Sequence, residues 1–275
     1  MSPSIGLLVI HGMGDQPEHF ADELFAGIRR HLDHDADLVA YESCLWADVL
    51  QHHQDQVWQR LRRSGAMSWP NWRTWLLSSF GDPPAYLSGY FKSGRQAYGI
   101  IHGRVREALT RLETQFNPRN SRPLVVLAHS LGSVIITNYI WDEQKSPTPG
   151  STPFERTETL TKLVTYGSNI PLFLPPVRPI ECIQFPWPSL PEHIRPLARW
   201  LNVYAPSDLL GYPLSGLWDN SHGTIVDDHA FPVGPWPLSR TPLSHTRYDS
   251  DDGFLSMVAA EIRSLVAPHG AGAAP

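Results

Sequence analysis

The segment Ala128-His129-Ser130-Leu131-Gly132-Ser133 follows directly on the apolar run Leu124-Val-Val-Leu-Ala128. It directly precedes residues with helical spacing, Leu131, Val134, Ile135, Asn138 and Tyr139. Small residues two before and two after a serine let a strand turn into a helix without side-chain collision, leaving the hydroxyl accessible above the sheet. Alanine stands at the first of these positions where glycine is commoner, which keeps the steric logic. A serine at a helix N-terminus also has the next backbone amide, here that of Leu131, beside any oxyanion formed on a substrate. Serine-and-glycine strings occur by chance in loops, and it is the strand before and the helix after that set this one apart. A second string, His11-Gly12-Met13-Gly14, closes the apolar run Ile5-Gly-Leu-Leu-Val-Ile10. Its glycines let the chain pass close to a substrate, with the Met13 amide as the second oxyanion donor and His11, Gly12, Gly14 and His129 beside the substrate. Taken alone, such a loop is as readily a plain strand-to-helix connection.

The elements that must position these residues alternate. Residues 5–10 read as a buried strand, and Phe20, Leu24, Ile28 and Leu32 mark one helix face, with Asp15 or Gln16 as cap and Pro17 in the first turn. Val39 to Trp46 is a candidate strand, and a helix near 96–115 leads back to the strand at 124–128. Further strands are expected at 160–166 and 200–205, while residues 171–196 hold too much proline for regular structure. Asp251 and Asp252 open a closing amphipathic helix carrying Phe254, Leu255, Val258, Ile262 and Leu265. Strands alternating with helices predict an α/β fold with a mostly parallel sheet covered on both faces.

The 275 residues fit one large α/β domain, 1–275, bearing an insertion at about 46–118. Five of the ten tryptophans, Trp46, Trp58, Trp69, Trp72 and Trp75, lie in the first half of that insertion. They form either an ordinary small core or a cap whose Trp72 and Trp75 line an acyl pocket. With 22 basic and 27 acidic residues, and only three lysines, the chain offers no basic stripe for a phosphate backbone, so nucleic acid is not an expected partner. Two cysteines, Cys44 and Cys182, suit a reducing compartment and make neither a disulfide framework nor a zinc site. The run at 5–10 is too short for a signal peptide, and no stretch reaches the length of a membrane span. A soluble, cytoplasmic protein is expected; contact with a membrane surface is not indicated.

The two motifs together resemble the α/β-hydrolase family, in particular bacterial lipase-like and esterase-like hydrolases with an HGxG loop and an AHSLGS elbow. The order of motifs is similar from residue 5 to about 266, outside the Trp-rich and Pro-rich segments. The resemblance implies an α/β-hydrolase fold and a serine, acid and histidine in that chain order. The acid is then Asp208, in the loop after the 200–205 strand, with Asp219, Asp227 and Asp228 as rivals. The base is His245, just before the closing helix, with His222 and His229 as competitors. Serine needs such partners because its hydroxyl is a poor nucleophile until an imidazole takes the proton, and the carboxylate holds that imidazole in the right tautomer. The implied activity is hydrolysis of carboxylic esters with apolar acyl groups, on a small-molecule or lipid ester, with no cofactor and no metal. The same triad serves thioesterases, acyltransferases and phospholipases, and a catalytically silent binding protein on this fold is the alternative of another class.

Overall fold

Along the strand at 5–10, side chains alternate between two apolar layers: Leu8 and Ile10 point one way, Ile5, Leu7 and Val9 the other. A strand buried on both faces belongs inside a parallel sheet with helices on each side, and that is the architecture. The computed structural model describes residues 3–13, 16–49, 92–116, 122–174, 180–219 and 222–266. Six strands, β1 (Ile5–Ile10), β2 (Val39–Cys44), β3 (Leu124–His129), β4 (Leu160–Tyr166), β5 (Arg199–Tyr204) and β6 (Val226–Ala230), form one sheet in the order β2-β1-β3-β4-β5-β6. Every neighbouring pair is parallel, so the expected mostly parallel sheet has no antiparallel strand among the described residues.

The helices are α1 (Asp22–Leu32), α2 (Lys92–Thr114), α3 (Leu131–Lys145) and α4 (Asp252–Arg263). Side chains of α2 and α3 pack with Leu8, Ile10, Leu124 and Val126, and those of α1 and α4 with Leu7, Val9, Val125 and Leu127. From β1 the chain crosses through α1 to β2 on one side, then returns over β1 through α2 to β3 on the other. Right-handed crossovers running opposite ways across a sheet must use opposite faces, and α1 and α2 do. The order therefore reverses between β1 and β3, which opens a crevice at the carboxyl ends of those two strands.

Several boundaries differ from the sequence reading. Helix α1 starts at Asp22 rather than near Pro17; residues 18–20 form a turn, with Phe20 N–H donating to Pro17 O at 3.0 Å, and no side chain caps the helix. Asp22 and Glu23 supply the negative charge its first turn favours. Strand β2 ends at Cys44, and Trp46 turns fully into the core. Helix α2 buries Ile101, Val105, Leu109 and Leu112 against the sheet, so the end of the expected insertion is a layer of the main body. Residues 50–91, with Trp72 and Trp75, lie outside the described residues, as does Gly14. Strand β6 begins only at Val226, the end of the apolar Gly223-Thr-Ile-Val226, and runs on through polar residues because, at the sheet edge, Asp227 and Asp228 are half-buried, His229 and Ala230 are exposed, and none need be apolar. The described part of 171–196 holds only short 3₁₀ turns, yet its Ile183, Phe185 and Leu190 join the core beside α3. No helix among the described residues is long and apolar enough to cross a membrane.

One buried ion pair ties α4 to the sheet. Lys162 on β4 reaches Glu261 of α4 at 2.9 Å, both nearly sealed from water, and Arg199 bridges the same Glu261 to Asp227. Removing one partner of a buried pair strands the other charge, which costs more than removing both. Glu261→Leu is expected to lower the unfolding free energy by about 3 kcal/mol in denaturant titrations, and adding Lys162→Met should recover most of that loss.

Candidate active site

Strand β3 runs straight into α3 through a single residue, Ser130, whose φ of 48° and ψ of −121° lie in a region that residues with a side chain rarely occupy. The turn is possible because α3 begins hard against β1. A Cβ at Gly132 would stand 2.6 Å from the carbonyl oxygen of His11 and 2.7 Å from that of Ile10, so only glycine fits there. Ser130 N–H donates to Tyr166 O at 3.0 Å, and Ser133 Oγ donates to Ser130 O at 2.5 Å, which holds the turn between β4 and the first helical turn.

The turn aims Ser130 Oγ at His245, with 3.0 Å to Nε2. On the other side of the ring, Nδ1 lies 3.0 Å and 2.8 Å from the two oxygens of Asp208. The structure thus brings Ser130, His245 and Asp208 together from three separate loops, and all three are buried. Asp208 follows β5, its carboxylate also accepting from Leu210 N–H at 2.9 Å and from the Tyr248 hydroxyl at 3.1 Å. Burial works to raise the Asp208 pKa, but the hydrogen bond from His245 and the attraction of its ring, with the Leu210 amide, leave it below the ordinary 3.8. The residue therefore stays a carboxylate that accepts from Nδ1–H, which puts the lone pair of Nε2 towards the serine hydroxyl.

The rival acids are engaged elsewhere. Asp228 accepts from the backbone of Leu214 and Ser215, Asp227 pairs with Arg199, and Asp219 accepts from Ile180 N–H. Of the competing histidines, His229 stacks on Phe231 at the outer strand, and His222 lies in the turn that leads into β6.

On the β1 side of the serine, the loop presses close: a Cβ at Gly12 would lie 2.8 Å from Ser130 Cβ. Leu131 N–H opens α3 and has no intrahelical acceptor. Met13 follows Gly12 in the loop that touches the serine, its side chain packed on the core. Leu131 and Met13 thus flank Ser130 from α3 and from the β1 loop.

The two histidines expected beside a substrate are both hydrogen-bonded within the protein. His11 is buried, stacked on Trp46 with centroids 4.9 Å apart. Its Nδ1–H donates to Gly12 O at 2.6 Å, and its Nε2 accepts from Trp46 N–H at 3.2 Å, so both ring nitrogens are committed to holding the loop. His129 stacks on Tyr166 and lies beside His245, with Nε2–H donating to the His245 carbonyl at 3.0 Å. Burial lowers the His11 pKa to about 4 against the pull of its bond to Gly12. Burial and the neighbouring His245 lower that of His129 to about 3.

Two contributors escaped the sequence reading. Tyr248 lies one turn beyond His245; its hydroxyl accepts from Ala205 N–H at 2.8 Å while donating to Asp208. Asn169, in the loop just past β4, is fully buried, with Nδ2 3.4 Å from Ser130 Oγ. Its only signal in the sequence is a polar run, Gly167-Ser168-Asn169, placed immediately after an apolar strand. Beyond Asn169 lies a cavity of about 330 Å³ lined by Val134, Trp141, Ile170, Phe173, Trp200 and Trp218 among others. Its tryptophans come from outside the Trp-rich insertion, and none of Ser130, His245 and Asp208 lines it.

Among known proteins, no family model matches the chain and no curated protein matches it.

The buried histidines make stability fall with acid. Unfolded, each titrates near 6.5; folded, His11 and His129 resist protonation down to about 4 and about 3. Between those values the unfolded chain binds protons that the folded chain refuses, so stability declines as pH drops. Asp249 partly offsets this, because burial lifts its pKa to about 6 and the folded chain keeps its proton between 3.8 and about 6. Unfolding free energy should fall as pH drops from 7 to 5, the slope growing below pH 6.5 towards about 1.4 kcal/mol per pH unit for each unprotonated histidine, before that offset. His11→Gln should show a shallower slope.

Proposed function

We propose that this chain is a serine hydrolase of the α/β-hydrolase type that cleaves carboxylic esters through an acyl-enzyme on Ser130. The observation that carries the reading is the unbroken line of hydrogen bonds from Ser130 Oγ through His245 to Asp208, standing at the crevice between β1 and β3. The strand-turn-helix at Ser130 and the chain order of serine, acid and histidine agree with it.

In the first half-reaction, Oγ attacks the ester carbonyl carbon as His245 Nε2 takes the hydroxyl proton. The carbonyl oxygen becomes an oxyanion facing the Leu131 and Met13 amides, and Asp208 stabilises the imidazolium. Collapse of the intermediate breaks the bond to the alcohol, which leaves with the proton from His245. Water then repeats the sequence on the acyl-enzyme, giving its proton to His245, and the carboxylic acid leaves as Ser130 Oγ regains one. Loss of solvent from the buried triad strengthens each of these interactions.

The apolar cavity that begins at Val134, one turn along α3 from Ser130, and at Ile170, next to Asn169, supports a preference for apolar acyl groups. Cys44 and Cys182 are buried free thiols whose pKa burial pushes up to about 12; they are inert, which supports placement in a reducing cytoplasm.

A fluorophosphonate probe should label the protein covalently, and Ser130→Ala should abolish labelling and lower ester turnover by about 10³-fold or more. Equal labelling of that variant, or none of the unmutated protein, would sink the reading. Asn138→Phe, which projects into the cavity, should shift preference towards shorter acyl chains across a series of aryl esters with Tm little changed. An unaltered chain-length profile would detach the cavity from the substrate.

A further inference from the structure

Proton bookkeeping around Ser130 assigns both ends of the Asn169 amide. Asp208 accepts from Nδ1–H of His245, so Nε2 accepts the single proton of the Ser130 hydroxyl. A third group facing Oγ can then only donate. The atom of Asn169 that lies 3.4 Å from Oγ is therefore the amide nitrogen, and its carbonyl oxygen, Oδ1, points elsewhere. That oxygen is buried and has no hydrogen-bond partner, on a side chain that is itself fully buried. Folded proteins rarely leave a buried acceptor unmatched, because the group gives up water and receives nothing in return. A structural role does not account for it, since leucine would fill much the same volume without the cost.

The placement of Asn169 says which part of an ester would meet Oδ1. Strand order puts the Gly12–Met13 loop on the β1 side of Ser130 and Asn169 on the β4 side. With the oxyanion facing the β1 loop, an acyl chain directed towards β4 would meet Asn169 first, and Ile170, the next residue, lines the apolar cavity. The amide is rigid and its nitrogen is close to Oγ, so Oδ1 reaches only the acyl carbons nearest the carbonyl.

Resting on the hydrolase reading above, we propose that Asn169 is a specificity-determining residue: its side-chain carbonyl accepts a hydroxyl carried near the ester carbonyl, making a hydroxylated acyl group with an apolar remainder the preferred substrate. A hydroxyl fits better than an ammonium group, which needs several acceptors where Asn169 offers one.

The test compares kcat/KM for the ethyl esters of octanoic, 2-hydroxyoctanoic and 3-hydroxyoctanoic acids. The unmutated protein should prefer at least one hydroxy ester about 10-fold or more. Asn169→Leu should bring that ratio close to one, whatever its rate on the plain octanoate ester. The ratio is internal to each protein, so partial unfolding of a variant does not move it, and Asn169→Ala provides the second variant should leucine not fold. Equal rates on all three esters, or retention of the preference in both variants, would overturn this inference alone. Absence of labelling, or hydrolysis of none of the three esters, would overturn the hydrolase reading and this inference with it.

Discussion

The backbone at Ser130 is the constraint on which the site is built. A φ of 48° on a residue with a side chain costs about 1–3 kcal/mol, and the surroundings must hold it. They do so from three directions: Tyr166 O of β4 takes the Ser130 N–H, Ser133 Oγ takes hold of its carbonyl, and Gly132 lets α3 sit against the end of β1. Because β3 lies between β1 and β4, the same packing that fixes the turn also brings up the Gly12 loop on one side and Asn169 on the other. The strain and the composition of the site thus have one origin.

The second dependence is on proton placement. Three buried imidazoles cluster along the carboxyl ends of β1 and β3, and each has its tautomer set by a neighbour. His11 carries its proton on Nδ1 for Gly12, His129 on Nε2 for the His245 carbonyl, and His245 on Nδ1 for Asp208. Burial keeps His11 and His129 neutral at ordinary pH, so neither places a positive charge beside His245. Tyr248 adds a donor to Asp208 without adding charge, and its own pKa is driven upward by burial and by that carboxylate. Of the three imidazoles, His245 is the one with a ring nitrogen on Ser130 Oγ.

Much of this was legible in local pattern. Apolar runs at 5–10, 124–128 and 160–166 are strands because a fully buried parallel strand needs apolar side chains on both faces, and the small residues around Ser130 mark a turn that tolerates nothing larger. Boundaries shifted where burial is partial. Helix α1 begins at Asp22, where no side chain caps it, and β6 is written in polar residues because it is an edge. The described tryptophans of the apolar cavity, Trp141, Trp200 and Trp218, come from three separate segments, which no clustering in the sequence marks.

Sequence order alone thus sets the alternation of strands and helices, the parallel class of the sheet and the serine turn, because each depends on contacts between near neighbours in the chain. What required the folded chain was the company that serine keeps. Asp208 and His245 met it from loops 37 residues apart, His11 and His129 took up hydrogen bonds to distant segments, and Asn169 turned out to face Ser130 with its carbonyl unmatched. These follow from strand order and from which polar groups lose water on burial, and both are properties of distant segments brought together rather than of any one stretch of sequence.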